Sequence, residues 1–357
     1  MGEKIALGFH TCVDYELKWD TQIVEEQIKA FDIHADETDI EVNSERAVWI
    51  VMLAHLKEGV GGEMVPDSAE ICEQFASHFE YEVTLGGTAT RAAIVLDKLG
   101  YDTVLQSSCY NHYVERLIPS HVHILPGVKP EHNTIYPHVV VQCCEGVRIR
   151  ANDIDFVTPR ENRLMVSRDV DSLDIPVLPQ KFGELIRDAE VFLLGCFSEI
   201  IEKNILERCL RKTRELLTYL PEDAIVVAED GCYVKKDFRY YAHDKLSDCI
   251  DVLSMNEDEL QEYIGEKIDV LDVEKVKEAV EYVYEKSGIK TIIVHSSKWA
   301  LAYGKLADQM YQSLEGAVTM AGTRFRKGDI FSPEDYEETK RMPSKDECIE
   351  FCEKFIK

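Results

Sequence analysis

Short apolar runs alternate with longer amphipathic segments through the second half of the chain. The runs Ala224–Glu229 and Lys290–His295 are typical of strands buried inside a parallel sheet, and so is Glu190–Cys196. Between them, Glu199–Leu220 and Val273–Lys286 repeat their apolar residues at helical spacing. Because strands that alternate with helices form parallel sheets with crossover connections, we predict an α/β fold.

The first half of the chain is more mixed. Lys4–His10 predicts a first strand, Leu85–Leu99 predicts a Gly-Gly turn followed by a helix, and His132–Arg150 is β-like with turns. We interpret the mixed part as a small, strand-rich lid domain inserted into a larger core. The predicted core comprises 1–14, 80–110 and 170–357, and the predicted lid comprises 15–79 and 111–169.

Composition narrows the class of protein. The 357 residues carry a net charge of -27, which repels nucleic acid, so no nucleic-acid partner is expected. No run of about 18 apolar residues occurs and the start does not resemble a signal peptide, so neither a membrane span nor secretion is predicted. The 11 cysteines include no C-x-x-C pair, which is typical of free thiols in the cytoplasm. Nothing in the sequence indicates an oligomeric state.

Two glycines stand where a predicted strand turns into a helix. Gly86 and Gly87 precede Thr88, and glycines at such a turn let the backbone approach a ligand whose charge faces the helix N-terminus. The same residues also fit an ordinary strand–turn–helix connection. Asp14 follows the first predicted strand, where α/β proteins bind ligands, and a carboxylate there can accept hydrogen bonds from sugar hydroxyls. A loop residue or a helix cap explains Asp14 equally well.

Acidic residues follow two neighbouring predicted strands. Asn256 and Glu259 are three residues apart, so they share one face of a first helical turn. Oxygen ligands of this kind suit Mg²⁺, and Glu229 ends the preceding strand, so the three side chains predict a magnesium site for a diphosphate. Asn256 and Glu259 also satisfy the N-x-x-E capping box, which needs no metal.

Five sequence blocks stand in a specific order. They are GFHTCVDYE, HLKEGVGGEMVP, YEVTLGGTATRAAIVLDKLGY, FGELIRDAEVFLLGCFSEI and AEDGCYVKKDFRYYAHDKLSDCIDVLSMNEDEL. Taken together, they resemble the ADP-dependent glucokinase and phosphofructokinase family of ribokinase-like sugar kinases, from about Ile5 to Glu338. The first block resembles the family's sugar-binding N-x-N-V-D, the third its G-G-[NQ]-A-G helix start, and the last the segment from its metal-associated glutamate to its N-x-x-E motif. The resemblance implies a ribokinase-like parallel or mixed sheet flanked by helices, with a small strand-rich lid.

The resemblance also implies an activity and its site residues. The activity is phosphoryl transfer from ADP, with Mg²⁺, to a hydroxyl of a hexose or hexose phosphate. The implied acceptor-binding residues are Asp14, Gly86, Gly87 and Thr88. The implied metal-binding residues are Glu229 and Glu259, with Asn256 acting through water.

The chain departs from the family pattern in three places. His10, Thr11 and Cys12 occupy the segment of the sugar-binding asparagines, and Thr88 and Thr90 stand where Asn or Gln and Gly are usual. The family's C-terminal G-x-G-D motif, whose aspartate is the general base, does not occur before the sequence stops. The string most similar to that motif lies in GTRFRKGDIFSPEDY, a segment that resembles an earlier family block. Its Asp329 is the candidate to replace the missing base.

Two hypotheses of different class follow. In the first, the chain is an ADP-dependent sugar-kinase-like phosphotransferase in which Asp329 or another acid replaces the base; a separate, less favoured alternative is that a partner chain supplies the missing segment. In the second, it is a non-catalytic homologue that binds a sugar or a nucleotide. The missing motif favours the second hypothesis, whereas the acidic cluster of Glu229, Asn256 and Glu259 favours the first, which we take as the leading one.

Overall fold

The fold is described by a computed structural model over residues 4–37, 40–128, 134–195, 197–231 and 233–356. Its strands are β1 Lys4–Phe9, β2 Cys12–Leu17, β3 Gly62–Met64, β4 Tyr81–Gly86, β5 Asp102–Ser107, β6 His123–Pro126, β7 Pro137–Cys143, β8 Arg148–Ala151, β9 Ile154–Val157, β10 Asn162–Val166, β11 Val191–Leu194, β12 Ile225–Glu229, β13 Val252–Asn256, β14 Thr291–His295 and β15 Ala300–Gly304. Its helices are α1 Thr21–Ala30, α2 Glu45–Glu58, α3 Ala69–Ala76, α4 Thr88–Lys98, α5 His112–Leu117, α6 Val170–Leu173, α7 Pro179–Leu185, α8 Lys203–Leu217, α9 Lys236–Leu246, α10 Glu257–Ile264, α11 Val273–Ser287, α12 Tyr311–Lys327, α13 Pro333–Lys340 and α14 Asp346–Ile356. The predicted strand end at Cys196 and the predicted β-like start at His132 lie outside the described residues.

A large sheet of eight strands forms the core, in the order β15-β14-β13-β12-β11-β1-β5-β6. All neighbouring pairs are parallel except β14 with β15. The apolar runs at β11, β12 and β14 become its central strands because a parallel sheet covered by helices buries both of its faces. The α/β prediction, with a mixed sheet flanked by helices, is therefore confirmed.

A second sheet of five strands, in the order β3-β10-β7-β2-β4, has its own apolar core. Along β2, Val13, Tyr15 and Leu17 face this core with Trp49 of α2. Since side chains alternate across a strand, Cys12, Asp14 and Glu16 point to the opposite face. The polar face of the small sheet therefore carries one of the predicted site residues.

The chain passes between the two sheets at short connections. His10 and Thr11 join β1 of the large sheet to β2 of the small one, and Gly87 joins β4 of the small sheet to α4. Three strands differ from the sequence-based division into core and lid: β4 and the first half of β2 pair in the small sheet, and β6 pairs in the large one. Strand pairing, rather than position along the chain, decides to which sheet each belongs.

Two general features complete the fold. Within the described ranges, no helix is long and apolar enough to cross a bilayer. The cysteines of those ranges are all free thiols; the predicted free cysteines Cys196 and Cys232 lie outside them.

Candidate active site

The Gly-Gly turn packs directly against the connection between β1 and β2. Gly86 ends β4, and Gly87 is the N-cap of α4 with φ 86°, a conformation that favours glycine. A Cβ atom on Gly86 would lie 2.2 Å from Oδ1 of Asp14, and one on Gly87 would lie 2.3 Å from the carbonyl oxygen of His10. The structure therefore brings Gly86, Gly87 and Thr88, the first residue of α4, next to Asp14.

Asp14 is buried and already has two partners. Its Oδ2 accepts a hydrogen bond of 2.8 Å from Nη2 of Arg91, and its Oδ1 accepts one of 3.3 Å from the thiol of Cys12. Only 3% of the Asp14 side chain is exposed, so a sugar reaches this carboxylate only if the Arg91 side chain moves aside. Asp14 is thus placed to hold a ligand at the junction of the sheets, and its charge is balanced by Arg91 without one.

Arg91 is a site residue that sequence reasoning missed. Its guanidinium also donates to Glu16, at 3.1 Å, and to Oδ2 of Asp329, at 3.1 Å. Burial disfavours its charge, but the bonds to Asp14 and the neighbouring carboxylates outweigh burial and raise its pKa. The available signal was its position one helical turn after Gly87, whose carbonyl accepts from the Arg91 backbone N–H at 2.9 Å.

The guanidinium of Arg91 bridges Asp329 and Asp14. It sits in a 3₁₀ turn just after α12, and its Oδ1 accepts a bond of 2.8 Å from Nε of Arg324. Arg91 holds the other oxygen, so both carboxylate oxygens have arginine partners. The structure thus brings this predicted base to the acceptor side of the junction, and its catalytic role stays a prediction.

A cleft of about 740 Å³ opens beside this group, between the polar face of the small sheet and the end of α12. Its walls are formed by Glu16, Arg91, Gln142, Cys143, Cys144, Glu161, Asn162, Arg163, Arg324, Phe325, Gly328 and Asp329. The three arginines offer fork-shaped donors of the kind that bind phosphate oxygens. Arg91 and Arg324 are already paired with Glu16 and Asp329 of the same cleft, so a phosphate would bind them in exchange for those contacts.

The predicted metal residues meet at the carboxyl ends of adjacent strands. Glu229 ends β12 and pairs in register with Ser254 of β13, and Asn256 ends β13 and pairs with His295 of β14. Asn256 and Glu259 form the capping box: Glu259 N–H donates to Asn256 Oδ1, and Asn256 N–H donates to Glu259 Oε2, both at 2.8 Å. The predicted capping box therefore forms. It uses Oε2 of Glu259 and leaves Oε1 of the same carboxylate outside these two hydrogen bonds.

The electrostatics of this cluster fit a divalent cation. Burial, together with the carboxylates of Asp230 and Glu229, raises the pKa of Glu259 to about 7, although the hydrogen bond from the Asn256 N–H opposes that shift. Burial also raises the pKa of Asp230 to about 6, although the nearby Arg239 opposes that shift. A cation beside these oxygen donors would offset both burial and mutual repulsion, and hard oxygen ligands are those that Mg²⁺ prefers. The residues present therefore fit Mg²⁺.

Glu259 gives this cluster a pH dependence. Its carboxyl has a folded pKa of about 7 against an ordinary 4.5, so between these values the folded chain binds more protons than the unfolded chain. Its contribution to stability therefore falls as pH rises through that range. Because a cation needs the ionised form, we expect the affinity for Mg²⁺ to rise about tenfold between about pH 6 and about pH 8. Calorimetric titration at each pH measures it.

The control for this prediction is Glu259→Gln. Asp230 titrates in the same pH range, so the informative quantity is the difference in slope between the two proteins. A flatter slope in the variant supports ionisation of Glu259, and an identical slope contradicts it.

Both clusters follow the carboxyl ends of parallel strands of the large sheet. β1 leads to His10 and Asp14 at its carboxyl end, and β12 and β13 present Glu229 and Asn256 at theirs, with all three strands parallel within the sheet. Open α/β sheets bind ligands in the crevice at these ends. The arrangement places two polar regions, one around Asp14 and one around Glu229 and Glu259, beyond the carboxyl ends of these strands.

Comparison with known proteins agrees with this geometry. The sequence profile described as "ADP-specific Phosphofructokinase/Glucokinase conserved region" matches residues 3–347. The chain belongs to this family. The ADP-specific phosphofructokinases and glucokinases are sugar kinases, so the leading prediction of a sugar-kinase function is confirmed at that level. Among curated proteins, none matches the chain.

Solved structures of similar fold include members of the same kinase group. A hypothetical ADP-dependent phosphofructokinase from Pyrococcus horikoshii OT3 superposes with a TM-score of 0.76 and 16% identity, over 99% of this chain and 88% of its own. The last common ancestor of ADP-dependent phosphofructokinases from Methanosarcinales gives 0.71 and 15%, over 99% and 82%. An ADP-dependent kinase in complex with fructose-6-phosphate and ADPβS gives 0.76 and 16%, over 98% and 81%. At these identities the likeness establishes the fold.

Proposed function

We propose that the chain transfers the terminal phosphoryl group of Mg·ADP to a hydroxyl of a hexose or hexose phosphate. The products are AMP and a sugar phosphate ester, and the hydroxyl proton is released. One observation supports this most directly: the carboxyl end of β1 leads into the connection to Asp14, and the parallel strands β12 and β13 of the same large sheet end at Glu229 and Asn256. Kinases of this type work mainly by aligning the two reactants and neutralising charge.

The acceptor end of the proposed reaction lies at the junction of the two sheets. Asp14 accepts hydrogen bonds from sugar hydroxyls, and the turn at Gly86, Gly87 and Thr88 offers backbone groups at the start of α4. Arg163 and Arg324 in the adjacent cleft favour an acceptor that already carries a phosphate. The related kinase with bound fructose-6-phosphate is consistent with that class of acceptor.

The donor end lies at the acidic cluster. Glu229 and Glu259 would hold Mg²⁺, with Asn256 acting through water. When bound, the ion would neutralise charge on the phosphates of ADP. The related kinase structure with ADPβS supports ADP as the donor. Glu259 also anchors the first turn of α10 through the capping box, which fixes the direction of its carboxylate.

We expect Asp329→Asn to lower kcat by about 10²–10⁴-fold, the usual cost of removing a general base, with little change in the KM for sugar. The amide keeps the shape of the side chain, but its single oxygen can accept from only one of Arg324 and Arg91, and its NH2 group faces the other. Steady-state kinetics with varied sugar separates the two constants. A raised KM with unchanged kcat would instead mean that Asp329 only positions Arg91.

The matched control is Asp335→Asn. Asp335 lies in the same segment, pairs with Lys327 at 2.9 Å and caps α13. Its replacement removes the same charge outside the cleft, so kcat should remain near that of the unaltered protein.

Ligand-induced thermal stabilisation tests the proposal as a whole. Mg·ADP, Mg·ATP and AMP are each added alone, then with glucose or fructose 6-phosphate. A ligand at 100 times its Kd stabilises the folded state by about 2.7 kcal/mol, which is readily measured. We expect Mg·ADP with fructose 6-phosphate to give the largest shift. A shift with sugar and none with any nucleotide would contradict the proposed donor site.

A further inference from the structure

A second group of potential ligand atoms lies inside the junction. His10 follows β1, Cys12 begins β2 and His138 lies in β7, and one ligand atom from each lies within 4.8 Å of the other two. Among the residues that the structure describes, no other three His, Cys, Asp or Glu side chains come this close. Cys12 and His138 are buried, at 4% and 1% exposure, whereas 20% of the His10 side chain is exposed.

Hydrogen bonds around this group determine which ring nitrogens are free. The Ser172 hydroxyl has one proton and donates it to Oδ2 of Asp169, at 2.8 Å, so it accepts from Nε2 of His10, at 2.7 Å. Nε2 of His138 donates to the same Asp169 oxygen, at 3.1 Å. In the neutral ring each histidine therefore keeps its lone pair on Nδ1. Burial opposes a charge on the His138 ring, but Cys12 and Asp169 raise its pKa well above the usual value, so a metal would displace a proton from Nδ1 of this ring.

Asp169 is itself held in place. Its Oδ1 accepts from the backbone N–H groups of Asp171, at 2.8 Å, and Ser172, at 3.3 Å, so it caps α6. A histidine that binds a metal through one ring nitrogen usually donates the N–H of its other ring nitrogen to a carboxylate, which fixes the orientation of the ring. The group thus has three possible metal ligands, and Asp169 and Ser172 hold the two histidine rings in place.

We propose that His10, Cys12 and His138 bind a divalent transition-metal ion of the zinc class. One thiolate and two imidazoles are soft and borderline donors, which favour Zn²⁺ or Co²⁺ over Mg²⁺. Ligand atoms around tetrahedral zinc lie roughly 3.3–3.8 Å apart, so the group requires only a small closure. The exposed edge of His10 gives access and leaves the fourth position to water or a small ligand.

Metal binding at this group changes the hydrogen bonding of Asp14. The ion takes the place of the thiol proton of Cys12 and of the proton on Nδ1 of a protonated His138 ring, and both protons are released to solvent as the metal–sulfur and metal–nitrogen bonds form. The 3.3 Å bond from Cys12 to Asp14 is then lost. The ion would also join the β1–β2 connection to β7, on the small sheet. This inference does not depend on phosphoryl transfer, because it concerns binding alone.

Cobalt and zinc titration of the full, chelator-treated chain tests the proposal. We expect one equivalent of Co²⁺ to bind and to give a thiolate charge-transfer band with the strong visible bands of tetrahedral cobalt, which Zn²⁺ then abolishes. Cys12→Ser should lose the charge-transfer band. Ser172→Ala, which removes an outer partner of His10, should weaken binding by about 10–100-fold.

Two cysteine controls separate this group from other thiols. Cys209→Ser changes a buried thiol that donates to the Ile175 carbonyl, and Cys144→Ser removes an exposed one. Both should retain the cobalt spectrum. If Cys12→Ser does not fold, as judged by circular dichroism, His10→Gln at the partly exposed ligand replaces it. A cobalt spectrum that is absent from the unaltered protein, or unchanged in these ligand variants, overturns the proposal and leaves a hydrogen-bond network only.

Discussion

Glu229→Gln is expected to lower the rate of phosphoryl transfer from Mg·ADP by about 10²–10³-fold, the range found when one group that stabilises transition-state charge is removed. Glu229 ends β12 beside the buried Glu259, and its carboxylate contributes to the repulsion that a cation would relieve. The amide keeps the size of the side chain but lacks the charge. Stabilisation of the fold by Mg·ADP should be lost in the same variant, and thermal unfolding with and without the nucleotide measures it.

The matched control for Glu229 is Asp258→Asn. Asp258 is an exposed carboxylate in the first turn of α10, the same helix that carries Glu259. Its replacement removes an equal charge from the same region without changing the cluster. Nucleotide-induced stabilisation that survives in Glu229→Gln, or that disappears equally in Asp258→Asn, would exclude Glu229 as the specific metal ligand.

Gly87→Ala is expected to reduce the free energy of unfolding by about 3 kcal/mol or more. Two costs combine at this position. With φ 86° and ψ 133°, the backbone of Gly87 has a conformation that other residues avoid, and the new Cβ would lie 2.3 Å from the carbonyl oxygen of His10. The connection between β1 and β2 would have to move, and the acceptor side of the site with it. Denaturant unfolding measures the loss.

Gly100→Ala separates the two costs. Gly100 also has a positive φ, 84°, but a Cβ atom there meets nothing within 4 Å. We expect it to cost only the backbone term, about 1–2 kcal/mol. Equal losses for the two variants would show that the close approach of Gly87 to the β1–β2 connection adds nothing to stability.

The sequence predicts those parts of the molecule that depend on local pattern. Apolar runs such as Thr291–His295 predict central strands because few other segments can be buried on both faces. The spacing of Asn256 and Glu259 predicts the start of α10, since the amide and the carboxylate reach each other's backbone only across one turn. The Gly-Gly turn is predicted for a similar local reason.

Contacts between distant segments are beyond such reasoning. Arg91 reaches Asp14 and Asp329, which are 77 and 238 residues away along the chain, and no local pattern relates them. His138 lies in the apolar strand β7 beside Asp14 on β2, and its only sequence signal is a polar residue in a valine-rich run. The sheet assigned to β4 likewise depends on pairing with β2, which the chain order does not reveal.

The most direct test of the account is to follow the phosphorus species by ³¹P NMR while the purified chain is incubated with Mg²⁺, ADP and fructose 6-phosphate. The proposed function predicts that AMP and a new sugar phosphate ester form at equal rates, and that both slow together in Glu229→Gln. AMP accompanied by ATP, with no new ester, would indicate a nucleotide-disproportionating contaminant. If no ester forms although ADP and sugar both bind, the chain does not perform the phosphoryl transfer proposed for it.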